Sequence, residues 1–397
     1  MVLSKRIKKI APSPTLGLSA AAKDLKAQGH DVIEFGAGEP DFNTPDSIKT
    51  AGIKAIEDNF TRYTANLGIK ELRDTICEKL EKDNGLRYTP DQVIVSSGAK
   101  HSVFNAIMAL CDVGDEVIIP APYWVSYPEM VKLADGVPVV IPTTGDTGYK
   151  ITAQQLKAAI TPKSKLIIIN SPGNPTGAVY TEAELREIAK VCVENNLYVI
   201  SDEIYEKLIY DGEKHVSIAA FGEDIKKLTI TINGVSKAYA MTGWRIGYAV
   251  AEKEIVKAMD AFQSHATSAP ASMTQKAGYD AIAGSQDAVE EMRKEFDKRR
   301  KFIVDELNKI PGIRCQVPKG SFYVFPDISG LYGKTIEGVL IEDDETFSKL
   351  LLEKVYVAVV PGSAFGSPGN LRLSYASSTE YMKKGLDRIN TLVLGSS

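Results

Sequence analysis

A lysine among small residues raises the first chemical question. The stretch GVSKAYAMTGWRIG runs from Gly234 to Gly247, and its Lys237 is followed eight positions later by Arg245. A lone Lys is ordinarily a solvated charge. It is also the side chain whose amine condenses with an aldehyde, and only the unprotonated amine attacks, so such a lysine needs surroundings that lower its pKa. Other polar groups fall at comparable places. Asp202 closes LYVISD, Asn170 closes KLIIIN and precedes SPGNPTGA, and Gly98 and Ala99 of SSGAK open a helix pattern after an apolar run. Singly, each has a plain structural reading: a helix N-cap, a turn-rich loop, a tight strand–helix connection.

Together these groups suit one molecule, pyridoxal 5'-phosphate. Lys237 meets its aldehyde, and the small neighbours leave room for a planar ring. The ring acts as an electron sink only while its pyridine nitrogen stays protonated, which calls for a buried carboxylate, here Asp202. Tyr205, three residues on, shares that side if a helical turn follows, within reach of the ring hydroxyl. The phosphate is expected on the backbone N–H groups of Gly98 and Ala99 and on the Arg245 guanidinium. Trp124, in APYWVSYP, is placed to stack on the ring face.

The elements that must position these groups are legible in the same pattern. Seven short apolar runs, at 93–97, 116–120, 137–141, 165–170, 197–202, 228–234 and 245–250, alternate with amphipathic segments such as TEAELREIAKVCVENN. Several runs are β-branched and apolar on both faces, as in a buried sheet. The alternation predicts an α/β fold with a mostly parallel seven-stranded sheet flanked by helices, its ligand beyond the carboxyl ends of the strands. From residue 288 a long charged helix pattern runs to 310, ended by Pro311 and Gly312, and SFYVFPDI and VYVAVVPG then flank another helix pattern. The expected division is an N-terminal segment, 1–45, packed on a small α+β domain, 291–397, with a large cofactor-binding domain between them, 46–290.

Bulk properties narrow the function class. The chain has 397 residues, 44% hydrophobic and 25% charged, with a formal net charge of −4. That balance speaks against a nucleic-acid partner. No apolar run reaches the length of a membrane span, of about 18 residues, and no apolar stretch follows the basic N-terminus as a signal peptide would require. Cys77, Cys111, Cys192 and Cys315 are scattered without metal-site spacing, which predicts reduced thiols in a cytoplasmic protein and no bound metal.

GVSKAYAMTGWRIG, together with GEPDF (38–42), YTANLGIKELR (63–73), NSPGNPTG (170–177), SDEIYE (201–206) and LRLSYA (371–376), all in order, resembles the class I aminotransferases of the aspartate aminotransferase superfamily. The resemblance spans essentially the whole chain, is strongest to the prokaryotic branch, and implies the fold of pyridoxal-phosphate-dependent transferases. It implies that Lys237 is the Schiff-base lysine and the acid–base that moves the proton. Asp202, Asn174 and Tyr205 would hold the pyridine nitrogen and ring hydroxyl, and Trp124 would stack on the ring. Arg245 would bind the phosphate, with Tyr63 reaching it from the partner subunit of a homodimer. Arg372 would clamp the substrate α-carboxylate, with Gly38 closing over it. Gly234 stands where relatives carry a Ser that contacts the phosphate, and the neighbouring Ser236 would supply that hydroxyl in its place.

For the substrate, the resemblance implies L-aspartate and 2-oxoglutarate with ping-pong kinetics. The animal-type branch reads the distal carboxylate with an Arg after the signature strand, but here no Arg falls between Arg245 and Arg293. Lys100 matches the residue that the prokaryotic branch uses instead, and Ser13 and Thr15 of APSPT match its covering segment. Ala11 stands where prephenate-active members tend to carry a basic residue. His101 and His265 are expected to take no catalytic part. An aromatic or alanine aminotransferase, a dual aspartate/prephenate enzyme and a β-elimination lyase remain open on the same scaffold. A cofactor-binding regulator would need a helix-turn-helix upstream, and a nicotinamide enzyme a G-x-G-x-x-G after its first strand; the sequence shows neither.

Overall fold

The computed structural model describes residues 3–395. Among these residues, seven strands build the central sheet: β1 (Val93–Ser97), β2 (Glu116–Ala121), β3 (Val137–Pro142), β4 (Ser164–Asn170), β5 (Tyr198–Asp202), β6 (Thr229–Gly234) and β7 (Ile246–Val250). Their order across the sheet is β1-β7-β6-β5-β4-β2-β3. Neighbours run parallel except around β7, which is antiparallel to both β6 and β1. The architecture is therefore α/β with a mostly parallel sheet. Two reversals leave β1 pointing the same way as β6. The carboxyl ends of β1, β2, β4, β5 and β6 thus share one edge with the amino end of β7.

Alternation along each strand sorts side chains onto two cores. Val117 and Ile119 pack with Val103, Ala106 and Ile107 of the helix Ala99–Leu110. Ile118 faces the other way, onto Leu185 and Ile188 of the helix Glu182–Glu194. That second helix starts where its sequence dictates: Thr181 and Glu184 form a reciprocal capping box. Only β3, at the edge, exposes apolar side chains, Val137 and Val140, and it tolerates Pro138 and Pro142 for that reason.

The C-terminal residues build a further apolar core, which Ile204, Tyr205, Leu208 and Tyr210 beyond β5 also enter. The helix Asp287–Leu307 contributes Phe296, Ile303 and Leu307 to it. Strand Leu371–Ser374 lies antiparallel between Val360–Pro361 and Tyr323–Val324. The N-terminal residues join this core through Ile33 and Phe35, with Ile33–Glu34 paired to Val357–Ala358. VYVAVVPG is not one strand: Val357–Ala358 and Val360–Pro361 pair with different partners, so the run turns between them. The first helix, Pro14–Ala27, starts where Ser13 caps it and Pro14 fits its first turn. No helix among the described residues is long and apolar enough to cross a membrane.

Gly247 fixes how the helix Ala99–Leu110 is seated. A Cβ at that position would lie 2.1 Å from the Ala99 nitrogen and 2.3 Å from the Gly98 carbonyl carbon. Gly247→Ala must push the start of that helix off the sheet. It is expected to lower unfolding stability by about 1–3 kcal/mol. A denaturant midpoint equal to wild type would show that the helix has slack here.

Candidate active site

At the shared strand edge lies a cavity of about 360 Å³. Thr15, Gly38, Ala99, Lys100, Trp124, Asn174, Asp202, Tyr205, Ser236, Lys237, Arg245 and Arg372 all line it. They come from β1, β2, β4, β5, the β6–β7 connection and the outer segments at 15–38 and 371–374.

Lys237 follows β6, and its Nζ donates to the Gly38 carbonyl at 2.6 Å. Burial, then the positive charges of Arg372 and Arg245, bring its pKa down to about 8 against the pull of Glu39 and Asp202. Asp202 ends β5 and is 4% exposed. Its Oδ2 accepts from the Tyr127 hydroxyl at 2.6 Å and its Oδ1 from the Ile204 N–H at 3.3 Å. Burial raises its pKa to about 6, opposed first by the Tyr127 bond. Asn170 ties the strand ends together: its Nδ2 donates to the Asp202 carbonyl and its Oδ1 accepts from the Asn174 N–H.

Arg372 is buried with its guanidinium over Tyr323 and Phe365, at 4.5 and 5.0 Å from the ring centroids. Nη1 donates to Asn174 Oδ1 at 3.1 Å and Nη2 to the Gly36 carbonyl at 2.7 Å, while Nε has no partner. A buried cation held only by neutral groups calls for an anion. Arg245 donates to the Thr242 and Ser97 carbonyls. Its guanidinium lies over Gly98, where a Cβ would meet Nη2 at 2.3 Å, so only glycine admits it. Gly98 has φ +83° and opens the helix Ala99–Leu110, whose first N–H groups lack intrahelical acceptors. Lys100 sits at the rim, its ammonium 4.9 Å from the Trp124 ring centroid, and burial and Arg245 lower its pKa. Among the described residues, none of Lys100, Lys237, Arg245 and Arg372 has a carboxylate within ion-pair distance.

Residues 30–389 match the family model for aminotransferase class I and II. The chain belongs to this aminotransferase family. It is 50% identical over 392 residues to the aspartate aminotransferase of Bacillus sp. (strain YM-2), covering 99% of each chain. It is 48% identical to the aspartate/prephenate aminotransferase of Cereibacter sphaeroides, over 100% of this chain and 99% of that one. The crystal structure of the aspartate aminotransferase from Rhizobium meliloti superposes with a TM-score of 0.97 at 44% identity, with all of both chains covered.

Some residues named from this aminotransferase's sequence stand apart from the cavity. Gly98 lies beneath Arg245 rather than in the lining. Ser13 bonds Thr15 Oγ1 at 3.0 Å but borders a neighbouring groove with Ala11 and Pro12. Tyr63 is fully exposed. His101 accepts from the Ser97 N–H, burial lowering its pKa, and neither it nor the exposed His265 lines the cavity. The structure adds Tyr127 and Tyr323, which sequence reasoning missed. Tyr127 is three residues past Trp124, a helical spacing that was there to be read. Tyr323 Oη lies 3.2 Å from Tyr205 Oη.

The lowered pKa of Lys237 is directly measurable. Its modification by a small amine-directed reagent is expected to rise about tenfold from pH 7 to pH 9 and then level off, since the neutral fraction grows through a midpoint of about 8. A rate still climbing steeply above pH 10 would mark an ordinary, solvated amine.

Proposed function

We propose that this chain is a pyridoxal-phosphate-dependent aminotransferase that moves the amino group of L-aspartate to 2-oxoglutarate, giving oxaloacetate and L-glutamate. The observation that carries the reading is the gathering of four cations without carboxylate partners around one buried acid, Asp202, in a single cavity. A phosphate and a dicarboxylate supply the missing negative charge.

The residues present fit the cofactor. Lys237 offers an amine to its aldehyde, Asp202 a carboxylate to its pyridine nitrogen, Asn174 and Tyr205 bonds to its ring hydroxyl, and Trp124 a stacking face. Arg245, Ser236 and the Ala99 N–H suit its phosphate, while the Gly98 N–H is spent on the Ser96 carbonyl. Gly234 stays a glycine for a steric reason: a Cβ there would sit 2.9 Å from Gly247 Cα and from the Ile246 carbonyl oxygen. When bound, the cofactor supplies an electron sink for the pair released at the substrate α-carbon. With a pKa of about 8, Lys237 can both take and return the α-proton near neutral pH. Arg372 offers the substrate α-carboxylate a planar fork, with Gly38 beside it. Lys100, at the rim, offers the distal carboxylate a point charge, and Thr15 closes that side.

Three further readings belong to the proposal. Tyr63, bare on its own chain, supports a homodimer in which it reaches the partner's phosphate site. The core that Ile33 and Phe35 share with the C-terminal residues supports packing of a segment at 1–45 on a small domain at 291–397, and a large domain at 46–290 meets that core through Ile204, Tyr205, Leu208 and Tyr210. Four free cysteines support a reducing, cytoplasmic setting.

Prephenate as a second keto acid draws support from the name of the Cereibacter relative. Against it, Ala11 brings no charge, its N–H is bonded to Glu129, and nearby Lys9 and Arg6 are paired with Asp135.

In the test, purified protein loaded with pyridoxal phosphate is scanned with aspartate, alanine and phenylalanine. Aspartate is expected to bleach the visible band most readily, and keto acids, prephenate included, are then scored by how well they restore it. Lys100→Ala is expected to lower kcat/KM for aspartate about 10- to 100-fold and to leave alanine nearly unchanged. Equal losses on both donors would reject the dicarboxylate assignment.

A further inference from the structure

We infer that Tyr127 is a positioning residue for the bound ring, its hydroxyl orienting the Asp202 carboxylate and its aromatic face setting the angle of Trp124. The inference rests on the reading of Asp202 as the partner of the pyridine nitrogen.

Tyr127 belongs to the helix Ser126–Leu133 and is 2% exposed, yet it lines the cavity. A buried tyrosine needs a partner for its hydroxyl, and many find a backbone carbonyl. This one donates to Asp202 Oδ2 at 2.6 Å. With Ile204 N–H on Oδ1, both carboxylate oxygens are held and the plane of the group is set. Asn170 pins the backbone beneath it. The proton stays on the tyrosine, because burial and then the Asp202 charge raise the Tyr127 pKa well above its ordinary value. The other titratable groups acting on Asp202 are Glu203, which disfavours its ionised form, and Lys237, which favours it. Tyr127 is thus the chief neutral donor that keeps a buried acid ionised without neutralising it.

The same ring does a second task. It stands at 89° to the Trp124 indole with centroids 5.3 Å apart, and the Tyr127 N–H bonds the Trp124 carbonyl at 3.0 Å. The tight turn that leads into this helix therefore carries both the stacking face and the group that orients the acid.

Tyr127→Phe separates the two tasks, since it keeps the ring and removes the hydroxyl. Three readouts are expected to move. In the apo protein labelled with carboxyl-13C aspartate, the Asp202 resonance, assigned through Asp202→Asn, should titrate about one pH unit higher than in wild type. In the loaded protein, affinity for pyridoxal phosphate should fall about 10-fold or more, as for loss of a bond to a charged group. Turnover should fall through kcat, with KM for aspartate unchanged within about twofold, because Arg372 is untouched. In an Asp202→Asn background, Tyr127→Phe should weaken cofactor binding no further. Tyr127→His, which keeps a donor, should recover part of the loss and serves if the Phe variant does not fold.

An additive loss in the double variant, or a Phe variant equal to wild type in titration, affinity and kcat, overturns the inference. Wild-type protein that folds but takes up no pyridoxal phosphate would instead reject the proposed function, while the apo titration still reports on the Tyr127–Asp202 bond.

Discussion

Lys237 and Asp202 occupy one cavity without pairing. That separation is the constraint on which the rest of the structure depends. Had they met, the ion pair would have fixed the amine as ammonium and taken up the carboxylate, leaving neither free for a ligand. Instead each is held by a neutral group, Lys237 by the Gly38 carbonyl and Asp202 by the Tyr127 hydroxyl. Burial then acts on them in opposite senses, lowering the amine to about 8 and raising the acid to about 6. The amine thus titrates close to neutrality, where proton transfer is most useful, while the acid's value lies below it.

The fold keeps the two apart by taking them from different strands. Asp202 ends β5 and Lys237 follows β6, while the acceptor for Lys237 comes from a segment anchored on the C-terminal core. Gly36 and Gly38 serve Arg372 and Lys237 through carbonyls two residues apart. The rim is thus assembled from several distant parts of the chain, and no single element contains a working subset.

How much of this was legible in the sequence depends on where each residue sits. The central strands were, because Val and Ile on both faces of short runs leave few alternatives to a covered sheet. Asp202 and Lys237 were, because a polar residue at the end of such a run has a definite address. Arg372 came from resemblance alone, since one Arg in a short strand has no pattern of its own. Tyr127 escaped notice because an aromatic residue at helical spacing looks like core packing, and only the structure shows where its hydroxyl goes. The break in VYVAVVPG was hidden for a related reason: uninterrupted apolar residues do not reveal a change of pairing partner.

The reversed direction of β7 has its own geometric consequence. Because β7 leads away from the rim, the connection from β6 stays there until Arg245, so one hairpin delivers both cations. Gly234 and Gly247 face each other across that hairpin, with no room for a methyl group on either. They work as a notch: a slip of one residue would bring a bulkier neighbour into a gap that cannot hold it, and the spacing between amine and guanidinium is locked by absent atoms.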